Sequence, residues 1–182
     1  MADPLILTAE MDEASFARLD DWRQAHFPDR GYRLPAHLTL FHHLPGPDEE
    51  AVALHVASIS RAEAPLPLAF EALMPLGAGT AVGVASPPLR ALRAGLARHW
   101  ADVLTPQDAA GWRPHVTLQN KVSREAAVAG RAAIEAAFAP WEGTATGLIL
   151  WRYRGGPWEE VGRWRFAAKP NENNGAQPGG SE

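Results

Sequence analysis

The sequence predicts an α+β protein of two matching lobes with a groove between them. Three observations carry that prediction. The order strand, helix, motif strand, helix, strand occurs twice; the string His-x-Thr-Leu stands at His37 to Leu40 and again at His115 to Leu118; and 182 residues at 46% hydrophobic are enough for one body with a sizeable core.

In the first half, Leu5 to Ala9 is an apolar run of strand length. From Asp12 onward Phe16, Leu19, Trp22 and His26/Phe27 recur near the helical period. A turn follows at Pro28-Asp29-Arg30-Gly31, and then His37 to His42 alternates polar and apolar as a half-buried strand does. Pro45-Gly46-Pro47-Asp48 opens a helix over Glu49 to Arg61, and a strand across Leu66 to Leu76 closes the half.

The second half repeats the order. Its first strand is Thr80 to Ala85, and Pro87-Pro88 starts a helix whose apolar face is Leu89, Leu92, Leu96, Trp100, Val103 and Leu104. The motif strand is His115 to Lys121, and Ser123 with Glu125 caps a helix running to about Ala139. A strand over Thr146 to Trp151 follows, joined through Arg154-Gly155-Gly156-Pro157 to a last strand, Trp158 to Ala168. Residues 1–168 thus form a single bilobal domain of two βαβ-type halves, about 5–76 and 80–151, with a closing hairpin to 168. The tail, 169–182, has no apolar periodicity and is expected to be disordered.

A strand turns successive side chains to opposite faces. His37 and Thr39 therefore share one face and Leu38 and Leu40 the other; His115 and Thr117 separate in the same way from Val116 and Leu118. The apolar pairs can enter the core, leaving both polar pairs to the groove, where a pseudo-twofold axis brings them together. Phosphodiester cleavage needs a base, an acid and donors for the non-bridging oxygens. Two imidazoles with unperturbed pKa values of about 6.5 supply the first two, each proton transfer being worth roughly 10²- to 10⁴-fold in rate. The threonine hydroxyls supply the donors. In a chain of this composition chance gives on the order of 0.03 such strings, so two in matched contexts are a strong signal.

With Pro35-Ala36-His37-Leu38-Thr39-Leu40 and Arg113-Pro114-His115-Val116-Thr117-Leu118 both present, the sequence resembles the 2H phosphoesterase superfamily, in particular its 2′-5′ RNA ligase (LigT-like) branch, over essentially residues 5–168. The resemblance implies a duplicated bilobal α+β fold of two antiparallel-sheet lobes with outer helices and a central groove. It implies that His37 and His115 are the catalytic acid/base pair, His115 as base and His37 as acid, and that Thr39 and Thr117 bind the phosphate. The implied activity is a metal-independent cyclic phosphodiesterase that opens 2′,3′-cyclic phosphate ends of RNA or nucleotides to 2′-phosphates. The alternatives are 2′-5′ RNA ligation by the reverse reaction and a non-catalytic nucleotide- or RNA-binding module.

Around this centre Phe41, Gln119 and Lys121 share the parity of the motif residues and are candidate substrate contacts, while Trp112 and Arg113 stand at the entrance of the second motif. Arg33, Arg152, Tyr153 and Arg154 are weaker candidates. His42, at odd spacing from His37 and Thr39, is expected to leave their face. With His43 it lacks the acidic or cysteine partners of a zinc frame, so no metal and no cofactor is expected. His26, His55 and His99 read as structural.

A net charge of −4 from 17 basic and 21 acidic residues gives no broad electropositive face for duplex nucleic acid. The partner expected is an RNA terminus or a small cyclic nucleotide, with no obligate protein partner and a monomeric state. No cysteine is present, which excludes disulfides, thiolate metal sites and a cysteine nucleophile. No basic n-region opens the chain and no apolar run approaches the roughly 18 residues of a membrane span, so the expected location is the cytoplasm, away from membranes.

Overall fold

A computed structural model of the chain describes residues 3–28 and 31–169. Asp29 and Arg30 of the expected turn, and the expected disordered tail beyond Lys169, lie outside the described residues.

The order is β1 (Leu5–Met11), α1 (Glu13–His26), β2 (Leu38–Leu44), a 3-10 turn at Gly46–Asp48, α2 (Glu49–Ala62), β3 (Leu66–Leu76), β4 (Gly79–Ala85), α3 (Pro87–His99), α4 (Pro106–Ala109), β5 (His115–Gln119), α5 (Arg124–Ala137), β6 (Trp141–Tyr153) and β7 (Trp158–Arg165). Local chemistry accounts for the helix starts. Asp12 accepts from the Ser15 amide at 2.9 Å, Ser86 from Leu89 at 3.3 Å and Ser123 from Ala126 at 3.2 Å, each satisfying a first-turn donor. The α3 helix stops at His99, short of the expected apolar face through Leu104. There the chain turns so that buried Trp100 meets Phe41 edge-on at 5.4 Å, while Val103 is left half exposed. The four-residue α4 was not foreseen; Thr105 caps it by accepting from the Asp108 amide.

Every strand pairing is antiparallel, in accord with the antiparallel-sheet lobes that the resemblance implies, and this corrects the βαβ-type halves read from the element order. A helix separates β1 from β2, yet these strands pair antiparallel with each other. The pairings run β1-β2-β5-β4-β3-β6 and return from β6 to β1, with β7 added to β6. Under exchange of β1 with β4, β2 with β5 and β3 with β6 this circuit maps onto itself, so the pairing pattern has the twofold character of the repeated order. The third strand of each half is added to the sheet of the other: β3 pairs with β4, and β6 with β1. The length of β6 follows from its work. One edge takes β1, while the other takes β3 over 141–145 and β7 over 147–153.

The two motif strands meet at a single pair, Leu38 opposite Val116. Continuing that antiparallel register one residue each way sets His37 against Thr117 and Thr39 against His115. Leu38, Leu40, Val116 and Leu118 are all fully buried in one core, with Leu5, Leu7, Leu68 and Phe70 among their neighbours. Their burial on one side is what turns the histidines and threonines outward on the other. Among the described residues no helix is long and apolar enough to cross a membrane.

Candidate active site

A cavity of about 280 Å³ is lined by His37, Thr39, His115 and Thr117 together, and by His42, Arg93, Trp112, Arg113 and Trp158. The two motif histidines are held alike. His37 Nδ1 donates to the Pro35 carbonyl at 2.8 Å and His115 Nδ1 to the Arg113 carbonyl at 2.7 Å, both two residues back. Each bond assigns the proton of the neutral ring to Nδ1 and leaves Nε2 for the cavity. In both copies the residue between carbonyl and histidine, Ala36 or Pro114, is buried and anchors the approach to the strand.

The backbone behind the threonines is held by side chains where the ladder between β2 and β5 is only one pair long. Trp112 Nε1 donates to the Thr39 carbonyl at 3.0 Å, and Arg23 Nη1 donates to the Thr117 carbonyl at 2.6 Å. Arg23 comes from α1 of the first half and holds the motif strand of the second; its Nε donates to the Leu34 carbonyl at 2.8 Å. Arg93 comes from α3 of the second half and reaches the first motif strand, donating from Nε to the Leu40 carbonyl at 3.1 Å and from Nη2 to the Asp108 carbonyl at 2.6 Å. Both arginines are buried. Each half thus clamps the motif strand of the other with a guanidinium. Sequence reading missed both, although Arg93 shares the helical face of Leu89, Leu92 and Leu96, where a cation demands an explanation.

Burial pushes the His37 imidazole down to about 4; the Arg23 guanidinium and the His42 and His115 rings lower it further, against the opposing Pro35 carbonyl. His37 is therefore neutral at pH 7. The unfolded chain protonates this histidine near 6.5 and the folded protein only near 4. Between those values the unfolded state binds more protons, so the contribution is fully present above 6.5 and is lost as pH falls toward 4. Urea titrations across this window are expected to show wild type losing up to about 3 kcal/mol that His37→Gln does not lose. Parallel curves for the two proteins would refute the account.

Several expected contacts are corrected. Phe41 does not line the groove: it is fully buried. The register of β2 against β1 runs Thr39 with Thr8 and then Phe41 with Leu7, so a bulge inserts one residue and turns Phe41 into the core. The same bulge returns His42 to the His37 face, opposite to expectation, and His42 lines the cavity. Gln119 is displaced by a second register shift, from Ala81 opposite Thr117 to Thr80 opposite Gln119. It is buried, and its Nε2 donates to the Ala126 carbonyl of α5 at 2.9 Å. Lys121 lies past the end of β5 with φ of 56° and is exposed, outside the cavity lining. Trp112 and Arg113 do line it, Trp112 as a wall held by its bond to Thr39.

Trp158, not singled out from sequence, stands beside His37 with ring centroids 4.6 Å apart. It lines both this cavity and an adjoining one of about 650 Å³, which His37 also lines and which Trp151, Phe16 and Arg33 help to enclose. Arg152 is occupied elsewhere, paired with Glu49 and Glu159, and Arg154 with Asp3 and Glu159. His55 and His99 stack on each other at 3.6 Å, away from the site. Among the described residues no group of three or more histidine or acidic side chains is arranged to hold a metal ion.

The sequence matches the family model described as the 2′-5′ RNA ligase superfamily over residues 11–157. The chain belongs to this superfamily. Solved structures with the same fold include a protein of Thermus thermophilus at 15% identity and a TM-score of 0.62, with 92% of this chain and 100% of that one covered. Escherichia coli LigT complexed with 3′-AMP matches at 19% identity and a TM-score of 0.59, with the same coverage. A structure described as a phosphoesterase matches at 18% identity and 0.59, again covering 92% and 100%. No curated protein matches the sequence. Members of this superfamily are 2H phosphoesterases and 2′-5′ RNA ligase-like proteins, and this chain brings its two His-x-Thr pairs into one cavity.

Proposed function

We propose that this protein is a metal-independent cyclic phosphodiesterase that opens 2′,3′-cyclic phosphate ends of RNA or nucleotides to 2′-phosphates. One observation carries the reading: His37, Thr39, His115 and Thr117 share a single cavity, with Nδ1 of both imidazoles committed to backbone carbonyls and Nε2 left to the substrate. Escherichia coli LigT has been solved with 3′-AMP, NADP+ and ATP, ligands of the nucleotide class. The enzyme acts as a cytoplasmic monomer on an RNA terminus or a small cyclic nucleotide.

The adjoining larger cavity fits a nucleoside, its aromatic walls offering stacking surfaces. His37 lines both that cavity and the one shared by the two motifs, a position that suits it to serve the leaving oxygen. His115 Nε2 then takes a proton from water, the water oxygen bonds to phosphorus, the bond to O3′ breaks, and His37 Nε2 delivers a proton to O3′. Thr39 and Thr117 donate to the non-bridging oxygens. The depressed pKa of His37 suits this role once substrate is bound. A phosphodiester monoanion about 4 Å away at an effective dielectric of about 20 favours the imidazolium by about 4 kcal/mol, or about three pKa units. His37 thus takes up its proton together with the substrate.

The test is incubation with adenosine 2′,3′-cyclic phosphate and cyclic-ended RNA in EDTA. Release of the 2′-phosphate at an undiminished rate is the expected result. No turnover of either substrate, or turnover that vanishes with EDTA, would overturn the proposal.

A further inference from the structure

The two-histidine reaction leaves a third imidazole of the cavity unused. His42 reaches the cavity only because the β2 bulge re-aims it. Its ring is then fixed by Asp108, which is 1% exposed; His42 Nδ1 lies 3.2 Å from Asp108 Oδ1. The same carboxylate accepts from the His42 amide at 2.9 and 3.0 Å and from the His43 amide at 2.8 Å. A buried carboxylate costs several kcal/mol unless paired in this way, so its placement under one histidine calls for a reason. Burial opposes ionisation of Asp108, but the bonds from His42 and His43 hold the carboxyl below the usual range. Arg93 ties the Asp108 carbonyl to α3, and Thr105 caps the short helix that carries it. The dyad is built from β2, α3 and α4 around one ring whose side chain remains 47% exposed.

We infer that His42, oriented by Asp108, is a further phosphate ligand of this site, donating from Nε2 to a phosphoryl oxygen. In the imidazolium form the carboxylate accepts from Nδ1–H, and Nε2–H is left for the cavity that His37, His115 and Arg93 also line. A ligand of this kind favours the doubly charged 2′-phosphate monoester over the singly charged cyclic diester. His42 therefore sets how tightly product is held, and in doing so it deepens the phosphodiesterase reading, on which it rests for the identity of the product.

The test compares wild type with His42→Gln and His42→Ala in direct binding of 2′-AMP and of adenosine. Expected is a rise of about tenfold or more in the Kd of 2′-AMP, the loss of one charge-assisted bond, with adenosine binding within about twofold. Where cyclic phosphate is turned over, Ki for 2′-AMP moves with that Kd. A Kd for 2′-AMP within about twofold of wild type in His42→Ala, or an equal loss for adenosine, overturns the inference. Neither binding measurement needs turnover, so failure of the phosphodiesterase reading would show separately, as no reaction beside intact, His42-dependent binding of 2′-AMP.

Discussion

His37→Ala and His115→Ala are each expected to lower kcat on a 2′,3′-cyclic phosphate by about 10²- to 10⁴-fold, the value of one positioned proton transfer. The two losses are not expected to multiply in the double variant, because an acid without its base has no concerted step to serve. The cause is geometric. Leu38 opposite Val116 sets each histidine beside the threonine of the other motif, so in the proposed reaction one phosphoryl group is addressed from both halves at once. Thr39→Ala and Thr117→Ala remove a donor and leave both imidazoles, so their effect is smaller. Steady-state kinetics in EDTA with thermal melts of each variant provide the check. A histidine variant that keeps its kcat within about threefold of wild type would falsify the assignment.

Arg23→Ala carries the largest expected cost in stability, about 3 kcal/mol. The guanidinium is buried and serves two carbonyls, those of Leu34 and Thr117, and lies 3.9 Å from the Phe27 ring centroid. Removing it leaves two inward carbonyls without their donor, at about 1–3 kcal/mol each, and opens a void that the surroundings fill only in part. For a protein of this size that is a drop in Tm of about 6–12 °C. Burial is also what pulls the Arg23 pKa down to about 10, with Asp20 opposing. Because the cation lowers the His37 pKa, its loss raises that value as well. A melt unchanged within about 2 °C would show that the clamp is dispensable.

The site was unevenly legible. The four motif residues follow from strand parity and repetition, and parity holds because no register shift falls between His37 and Thr39 or between His115 and Thr117. It fails immediately beyond them. Phe41 and Gln119 each stand past a shift, and both went to the buried side, while His42 came back to the cavity for the same reason. Trp158 lies far along the chain on the closing hairpin, and no local pattern links it to His37.

The sequence by itself determined the α+β order, its repetition, the helix cap at Ser123, and which two His-x-Thr pairs face away from the core. These are properties of neighbouring residues, governed by period and local hydrogen bonding. Only the tertiary structure decided that β3 and β6 cross to the sheet of the other half and that arginines from α1 and α3 clamp the opposite motif strands. It alone built the His42–Asp108 dyad. The physical reason is common to all of these: a bulge, a strand exchange or a buried cation is stable only against the partner that receives it, and that partner lies far away in the chain.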